Sequence, residues 1–273
     1  MQINIDNLNI NYYDSINGDD VVLFLHGWGS NYKIFEFLFP YLINDYRVIA
    51  PDLPGFGESK TPNKSFSSDD YATFCINFLK KLDLNNRKFI LIGHSNGGRV
   101  AIKLNITESL PFQIKKNILI DSAGIKAKLS FYKKFKIKLF KILKKISTFT
   151  LVKNLFPNFE SDLKNKFGSS DYNNASPIMK ETLVKLVNED LTDKLNKINV
   201  PTLLIWGDND TATPLSDAKI MNKNIKDSGL VIYENCSHFS FIENKEKTIL
   251  VLKSFLNIKW YTLYKFCLLL TFY

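Results

Sequence analysis

The run Ile90-Leu91-Ile92-Gly93-His94-Ser95-Asn96-Gly97-Gly98-Arg99 constrains the chain more than any other stretch. An apolar, strand-like segment ends in Gly-x-Ser-x-Gly and passes directly into residues with helical spacing. This is the sequence form of a nucleophile elbow, a tight strand-to-helix turn that presents a serine Oγ at the strand's carboxyl end. Gly93 and Gly97 fit such a turn for steric reasons. It brings the helix close to the strand and strains the backbone of the nucleophile, so Cβ atoms on its neighbours would clash. Five residues match by chance in many chains, and the context has to decide.

The context is a repeated rhythm of short apolar runs and helical runs. Ile3 to Ile5 and Leu8 to Tyr13 alternate around Asp6-Asn7, which predicts an edge hairpin. Val21 to Leu25, Tyr46 to Ala50, Lys88 to Ile92, Lys116 to Ile120, Val200 to Trp206 and Leu230 to Tyr233 read as strands, most of them apolar throughout. Helices are expected from about 31 to 43 behind a Ser30 cap, after Ser67-Ser68-Asp69-Asp70 through Leu82, from Asn96 to Ile106, after Pro214, and from Glu243 to Leu256. Short strands alternating with helices give a mainly parallel sheet, because parallel neighbours need crossover helices.

The chain has 273 residues, 45% of them hydrophobic, enough for one large α/β domain with an insertion or for two modest domains. Cys75, Cys236 and Cys267 have neither disulfide nor zinc spacing. No basic-then-apolar leader opens the chain, which points to a cytoplasmic setting. Between Lys126 and Lys166 lie twelve lysines against Glu160 and Asp162, so one segment carries the excess positive charge of a chain whose net is +9. No nucleic-acid recognition motif accompanies that charge, so no nucleic-acid partner is expected.

Chemistry concentrates where apolar strands end. His26-Gly27-Trp28-Gly29, Ser95, Asp208 or Asp210, and His238 each follow such a run, and in a parallel sheet these ends share one edge. A serine hydroxyl needs a base, and imidazole suits the task because its pKa lies near the working pH. Of the three histidines, His94 adjoins Ser95 and is expected to point away from its Oγ, and His26 precedes a glycine with another task, which leaves His238. A carboxylate then has to fix the imidazole tautomer. Asp210 lies deeper in its loop than Asp208 and is preferred, with Asp121, after the preceding strand, as a third candidate. The backbone N–H groups of Trp28 and Asn96 are the expected oxyanion donors. Asp52, between prolines, reads as a turn-forming aspartate.

Five pieces taken together, His26-Gly27-Trp28-Gly29, Pro51 to Ser59, Gly93 to Gly98, Trp206 to Asp210 and Ser237-His238-Phe239, resemble the α/β-hydrolase fold family. The branch is the one with a helical cap, which includes serine C–C bond hydrolases, small carboxylesterases and pimeloyl carrier-protein methyl esterases. The resemblance covers about 3 to 256 and implies a mostly parallel eight-stranded sheet flanked by helices. It implies the order nucleophile, acid, base, which maps onto Ser95, Asp210 and His238. Haloalkane dehalogenases and epoxide hydrolases of this fold use an aspartate nucleophile, and Ser95 argues against both.

The expected organisation is a core domain of residues 1–123 and 199–257, a lysine-rich helical cap of 124–198, and an apolar tail of 258–273 that is too short to span a bilayer, which takes about 20 residues. The expected function is cofactor-free and metal-free hydrolysis of an ester or related acyl substrate through an acyl-enzyme. The alternatives are C–C bond hydrolysis on the same residues, or ligand binding on a hydrolase scaffold. A solvated lysine face over an ordinary cap accounts for the charge of the insertion. A cationic amphipathic helix would equally suit an acidic carrier protein or an anionic membrane surface.

Overall fold

The computed structural model describes residues 1–127, 142–143, 145 and 169–258. Eight strands form one sheet in the order β1-β2-β4-β3-β5-β6-β7-β8. They are β1 (Gln2–Ile5), β2 (Leu8–Asp14), β3 (Val21–Leu25), β4 (Arg47–Pro51), β5 (Lys88–His94), β6 (Gln113–Ile120), β7 (Thr202–Gly207) and β8 (Ser228–Tyr233). β1 and β2 are the antiparallel edge hairpin, and from β4 to β8 every pairing is parallel. The carboxyl ends of six strands therefore face the same way.

The apolar runs are strands buried on both faces, and their side chains divide by the two-residue period. Leu23, Leu25, Leu91 and Leu119 enter one core, beneath α1 (Ser68–Lys81) and α2 (Asn96–Asn105). Val22, Phe24, Ile90, Ile92, Ile118 and Ile120 enter the other, with Phe35 and Phe39 of the 3-10 helix Tyr32–Tyr41. Ser67 caps α1 in a reciprocal capping box with Asp70, as its sequence predicts.

Two helical expectations are corrected. The helix expected behind Ser30 is a 3-10 helix whose cap is Asn31, accepting from Lys33 N, and it contains Pro40, which has no N–H for a regular ladder. The closing helix is interrupted. A short α6 (Ser240–Glu243) precedes α7 (Lys245–Leu256), and between them Asn244 caps α7 by accepting from Lys247 N.

Between β6 and β7 the described residues include α3 (Ser170–Asn174), α4 (Pro177–Asn188) and the 3-10 helix Thr192–Lys197. Leu191 N donates to Gly124 O at 2.8 Å and so joins the two ends of this long excursion. Thr182 Oγ1 of α4 accepts from Phe66 N at 2.9 Å and fastens it to the body. Most of the lysine-rich part of the expected cap, residues 128–141, 144 and 146–168, and the tail from 259 on lie outside the described residues. Among the described residues no helix is long and apolar enough to cross a membrane. α5 (Leu215–Asn224) follows Pro214 as expected.

The junction of β5 and α2 leaves no room for a side chain at Gly93 or Gly97. A Cβ on Gly97 would overlap the carbonyl of Leu25 in β3, and one on Gly93 would meet the backbone of Gly97 and Gly98. Gly229, by contrast, has open space around it. Gly97→Ala should therefore lower unfolding stability by about 3 kcal/mol or more through backbone displacement, whereas Gly229→Ala should stay within about 0.5 kcal/mol. Denaturant midpoints of the two variants check this, and equal midpoints would contradict it.

Candidate active site

Ser95 is the single residue between β5 and α2, with φ 51° and ψ −116°. A non-glycine residue there is strained, and the surroundings hold it in place. Its N–H donates to Ile120 O at 3.0 Å, and its carbonyl accepts from Ala123 N at 2.9 Å and Arg99 N at 3.2 Å. The side chain is thereby fixed at the carboxyl edge of the sheet and at the amino end of α2, where the helix dipole favours negative charge.

His238 comes from the loop between β8 and α6 and reaches Ser95 Oγ with Nε2 at 2.9 Å. Its Nδ1 lies 2.8 Å from Asp210 Oδ2. Nδ1–H donating to the carboxylate leaves Nε2 as the acceptor for the serine hydroxyl, the tautomer that a base needs. Three strand ends meet here, and the preferred set of Ser95, His238 and Asp210 is in mutual contact.

Asp210 is buried, and four donors surround it. Oδ1 accepts from Ala212 N at 2.8 Å and Thr213 N at 2.9 Å, and Oδ2 accepts from Thr213 Oγ1 at 2.7 Å as well as from His238. Burial alone would raise its pKa, but the hydrogen bonds from His238 and Thr213 outweigh it and hold the carboxyl below the ordinary range. Thr213, which sequence reasoning missed, places the same Oγ1 3.3 Å from His238 Nδ1 and 2.9 Å from Asp121 O. The available signal was a hydroxyl three residues after an aspartate, a spacing at which Asx-type turns place side chain and backbone together.

The other two aspartates take different places. Asp208 is exposed on the same loop. Asp121 is fully buried and joins two elements rather than touching His238: Oδ1 accepts from Gly207 N at 2.9 Å, and Oδ2 from Ser240 N at 3.1 Å and Ser240 Oγ at 2.6 Å. It fastens the end of β7 to the start of α6, two residues beyond His238.

The remaining histidines are neutral and structural. His94 points back behind the turn, as expected, and its Nε2–H donates to His238 O at 2.8 Å. Burial first, then the neighbouring His238, push its pKa down to about 3. His26 donates from Nδ1 to Gly27 O and accepts at Nε2 from Leu53 N, both at 2.8 Å, and burial lowers its pKa to about 4. His26 thus shapes the Gly27-Trp28-Gly29 loop, and Gly27 lies so close to His94 and Ser95 that a Cβ would press on both. Among the described residues neither Trp28 N–H nor Asn96 N–H has an acceptor. Asp52 is the turn-former expected, accepting from Tyr32 N, Glu58 N and Asn11 Nδ2.

Beside Ser95 opens a cavity of about 390 Å³, walled by Trp28, Leu183, Leu186, Val187 and Phe239 among others. A second cavity of about 390 Å³ adjoins it across Trp28, between Phe56 and Met179. Such space suits a small organic substrate.

A serine, an imidazole and a carboxylate in sequence at the edge of a mostly parallel sheet, with a cavity alongside, define a hydrolase of the α/β fold. A profile of the α/β hydrolase fold matches residues 20–245, and the chain belongs to that family. It is 31% identical over 255 residues to an AB hydrolase superfamily protein of Bacillus subtilis, covering 86% of this chain and 91% of the relative. It is 30% identical to a pimeloyl-[acyl-carrier protein] methyl ester esterase of Legionella pneumophila, covering 88% of this chain and 95% of that one. Among solved structures, an esterase from Exiguobacterium antarcticum superposes with a TM-score of 0.70 at 26% identity, over 94% of this chain and 98% of the other.

Asp121 gives the site a measurable signature. Burial raises its pKa to about 7 against the hydrogen bonds from Ser240 and Gly207. An unfolded aspartate releases its proton near pH 4, so over the window from about 4 to 7 the folded state binds the extra proton and stability falls as pH rises. The stability advantage of the wild type over Asp121→Ala should therefore shrink between about pH 5 and about pH 8. Denaturant midpoints at the two pH values read this directly, and an advantage that grows with pH would contradict it.

Proposed function

We propose that the chain is a serine hydrolase that cleaves an ester or related acyl substrate through an acyl-enzyme. The observation that carries this reading is the continuous contact from Asp210 through His238 to Ser95 Oγ, at 2.8 and 2.9 Å. His238 Nε2 takes the proton of Ser95 as Oγ attacks the acyl carbonyl, and Asp210 holds the tautomer and offsets the charge of the imidazolium. The unengaged N–H groups of Trp28 and Asn96 receive the oxyanion, and because they are backbone they need no reorganisation as charge develops. His238 then protonates the leaving alcohol, and water repeats the sequence to release the acid. Every group the mechanism uses is a side chain or a backbone amide.

Residues 124–198 act as a cap in this reading, with Leu183, Leu186 and Val187 of α4 covering the acyl pocket. The Legionella relative's name gives it an ester carried on an acyl-carrier protein. The twelve lysines between 126 and 166 would complement an acidic carrier of that kind. Free and carrier-linked esters are therefore both substrates to assay, with added salt selectively slowing the carrier-linked one.

Ser95→Ala should abolish turnover of short p-nitrophenyl esters, with kcat falling by about 10⁴-fold or more, while the far-UV spectrum is retained. A folded Ser95→Ala protein with unchanged turnover would overturn the mechanism.

A further inference from the structure

The wall of the Ser95 cavity contains a cation that the mechanism above does not use. Arg99 lies in the first turn of α2, four residues after Ser95, and lines the same cavity. Its side chain is only 5% exposed, and its Nε is buried with no hydrogen-bond partner. Nη1 donates to Glu189 O at 3.2 Å and stands 3.6 Å from Glu189 Oε2.

Glu189 does not fully neutralise it. Its Oε2 accepts from Ser68 Oγ, and Oε1 is 3.5 Å from Lys103 Nζ, so two buried cations share one partly buried carboxylate. Lys103 has a second partner in Asp69, at 2.5 Å, on the solvent side. Arg99 has no second carboxylate within ion-pair distance among the described residues. Burial accordingly pulls its pKa down, yet a guanidinium stays charged at any working pH. A buried N–H edge left without an acceptor is costly and keeps donor capacity for a water, an ion or a ligand.

Two acids also line this cavity, Asp171 and Asp217. Asp171 is exposed and shared with the neighbouring cavity, so it stands at the mouth, and Asp217 is half-buried beside Ala212 and Thr213. Water screens charges at the mouth much more than at the buried guanidinium. The inner wall is therefore the place where an anion is favoured.

We propose that Arg99 is a specificity-determining residue that binds a carboxylate on the acyl moiety, so that the preferred substrates are half-esters of short dicarboxylic acids. This rests on the reading of Ser95 as nucleophile. Four residues separate Ser95 from Arg99, about 6 Å of rise along α2. The scissile carbonyl at Ser95 and a terminal carboxylate at Arg99 would thus belong to one short acyl chain.

The test compares kcat/KM for monomethyl glutarate and monomethyl adipate with that for methyl pentanoate and methyl hexanoate. The wild type should favour the half-esters by about 10- to 100-fold, the worth of a hydrogen bond to a charged group, mostly through KM. Arg99→Met should bring that ratio close to one, and Arg99→Lys should restore part of it. Equal kcat/KM for charged and neutral esters in the wild type would overturn the proposal, as would a ratio that survives in folded Arg99→Met. Calorimetric titration of monomethyl glutarate into the Ser95→Ala protein separates the two readings. Binding there, with methyl pentanoate binding at least about tenfold more weakly, supports the anion site even if Ser95 proves not to be the nucleophile, and equal binding overturns it. The same titration on wild-type protein with glutarate against pentanoate keeps the test available if Arg99→Met fails to fold.

Discussion

The close approach of α2 to β3 and β5 is the constraint on which the rest of the site depends. Gly97 lies against the Leu25 carbonyl and Gly93 against the first turn of α2, so the chain reverses within one residue. That residue is Ser95, and its φ of 51° is the consequence. A strand and helix packed less tightly would allow an ordinary turn, and the hydroxyl would no longer stand at the sheet edge with the amino end of a helix beneath it. Strain at one residue is tolerated because a hydrogen bond to Ile120 O and hydrogen bonds from Ala123 N and Arg99 N over-determine its position.

The ionisable groups around that turn are separated by their environments. His94 and His26 are buried, neutral and held by backbone partners, which leaves His238, partly exposed and bonded to Asp210, as the imidazole whose Nε2 faces the Ser95 hydroxyl. Asp210 and Asp121 differ for a related reason. Both are buried aspartates after neighbouring strands, but Asp210 gathers enough donors, His238 among them, to stay below the ordinary carboxylate range, while burial dominates at Asp121. One carboxylate faces the imidazole, and the other holds its loop through Ser240.

Much of this was legible in the sequence, and the reasons are specific. Strands such as Val21–Leu25 and Lys88–His94 are mostly apolar because both faces are covered, so their presence could be read from hydrophobicity alone, although β5 runs two residues past the expected Ile92. Ser95, Asp210 and His238 were singled out because each follows such a strand, and parallel topology brings these strand ends into contact. What could not be read depends on contacts distant in sequence or on turn geometry. Asn31 rather than Ser30 caps the helix that contains Pro40, Asn244 divides the closing helix, and Thr213 joins Asp210, His238 and Asp121. Arg99 resembled an ordinary helix residue, because the lack of a partner for its Nε shows only after Glu189, 90 positions away, is in place.

The central claim is that Ser95, unlike the other serines of the chain, is an activated nucleophile. Intact-protein mass spectrometry after exposure to a fluorophosphonate, followed by peptide mapping, measures this without knowledge of the substrate. The account predicts a single adduct on the peptide containing Ser95, formed quickly by the wild type and strongly suppressed in folded His238→Ala. No adduct, an adduct on another serine, or labelling indifferent to His238 would contradict it.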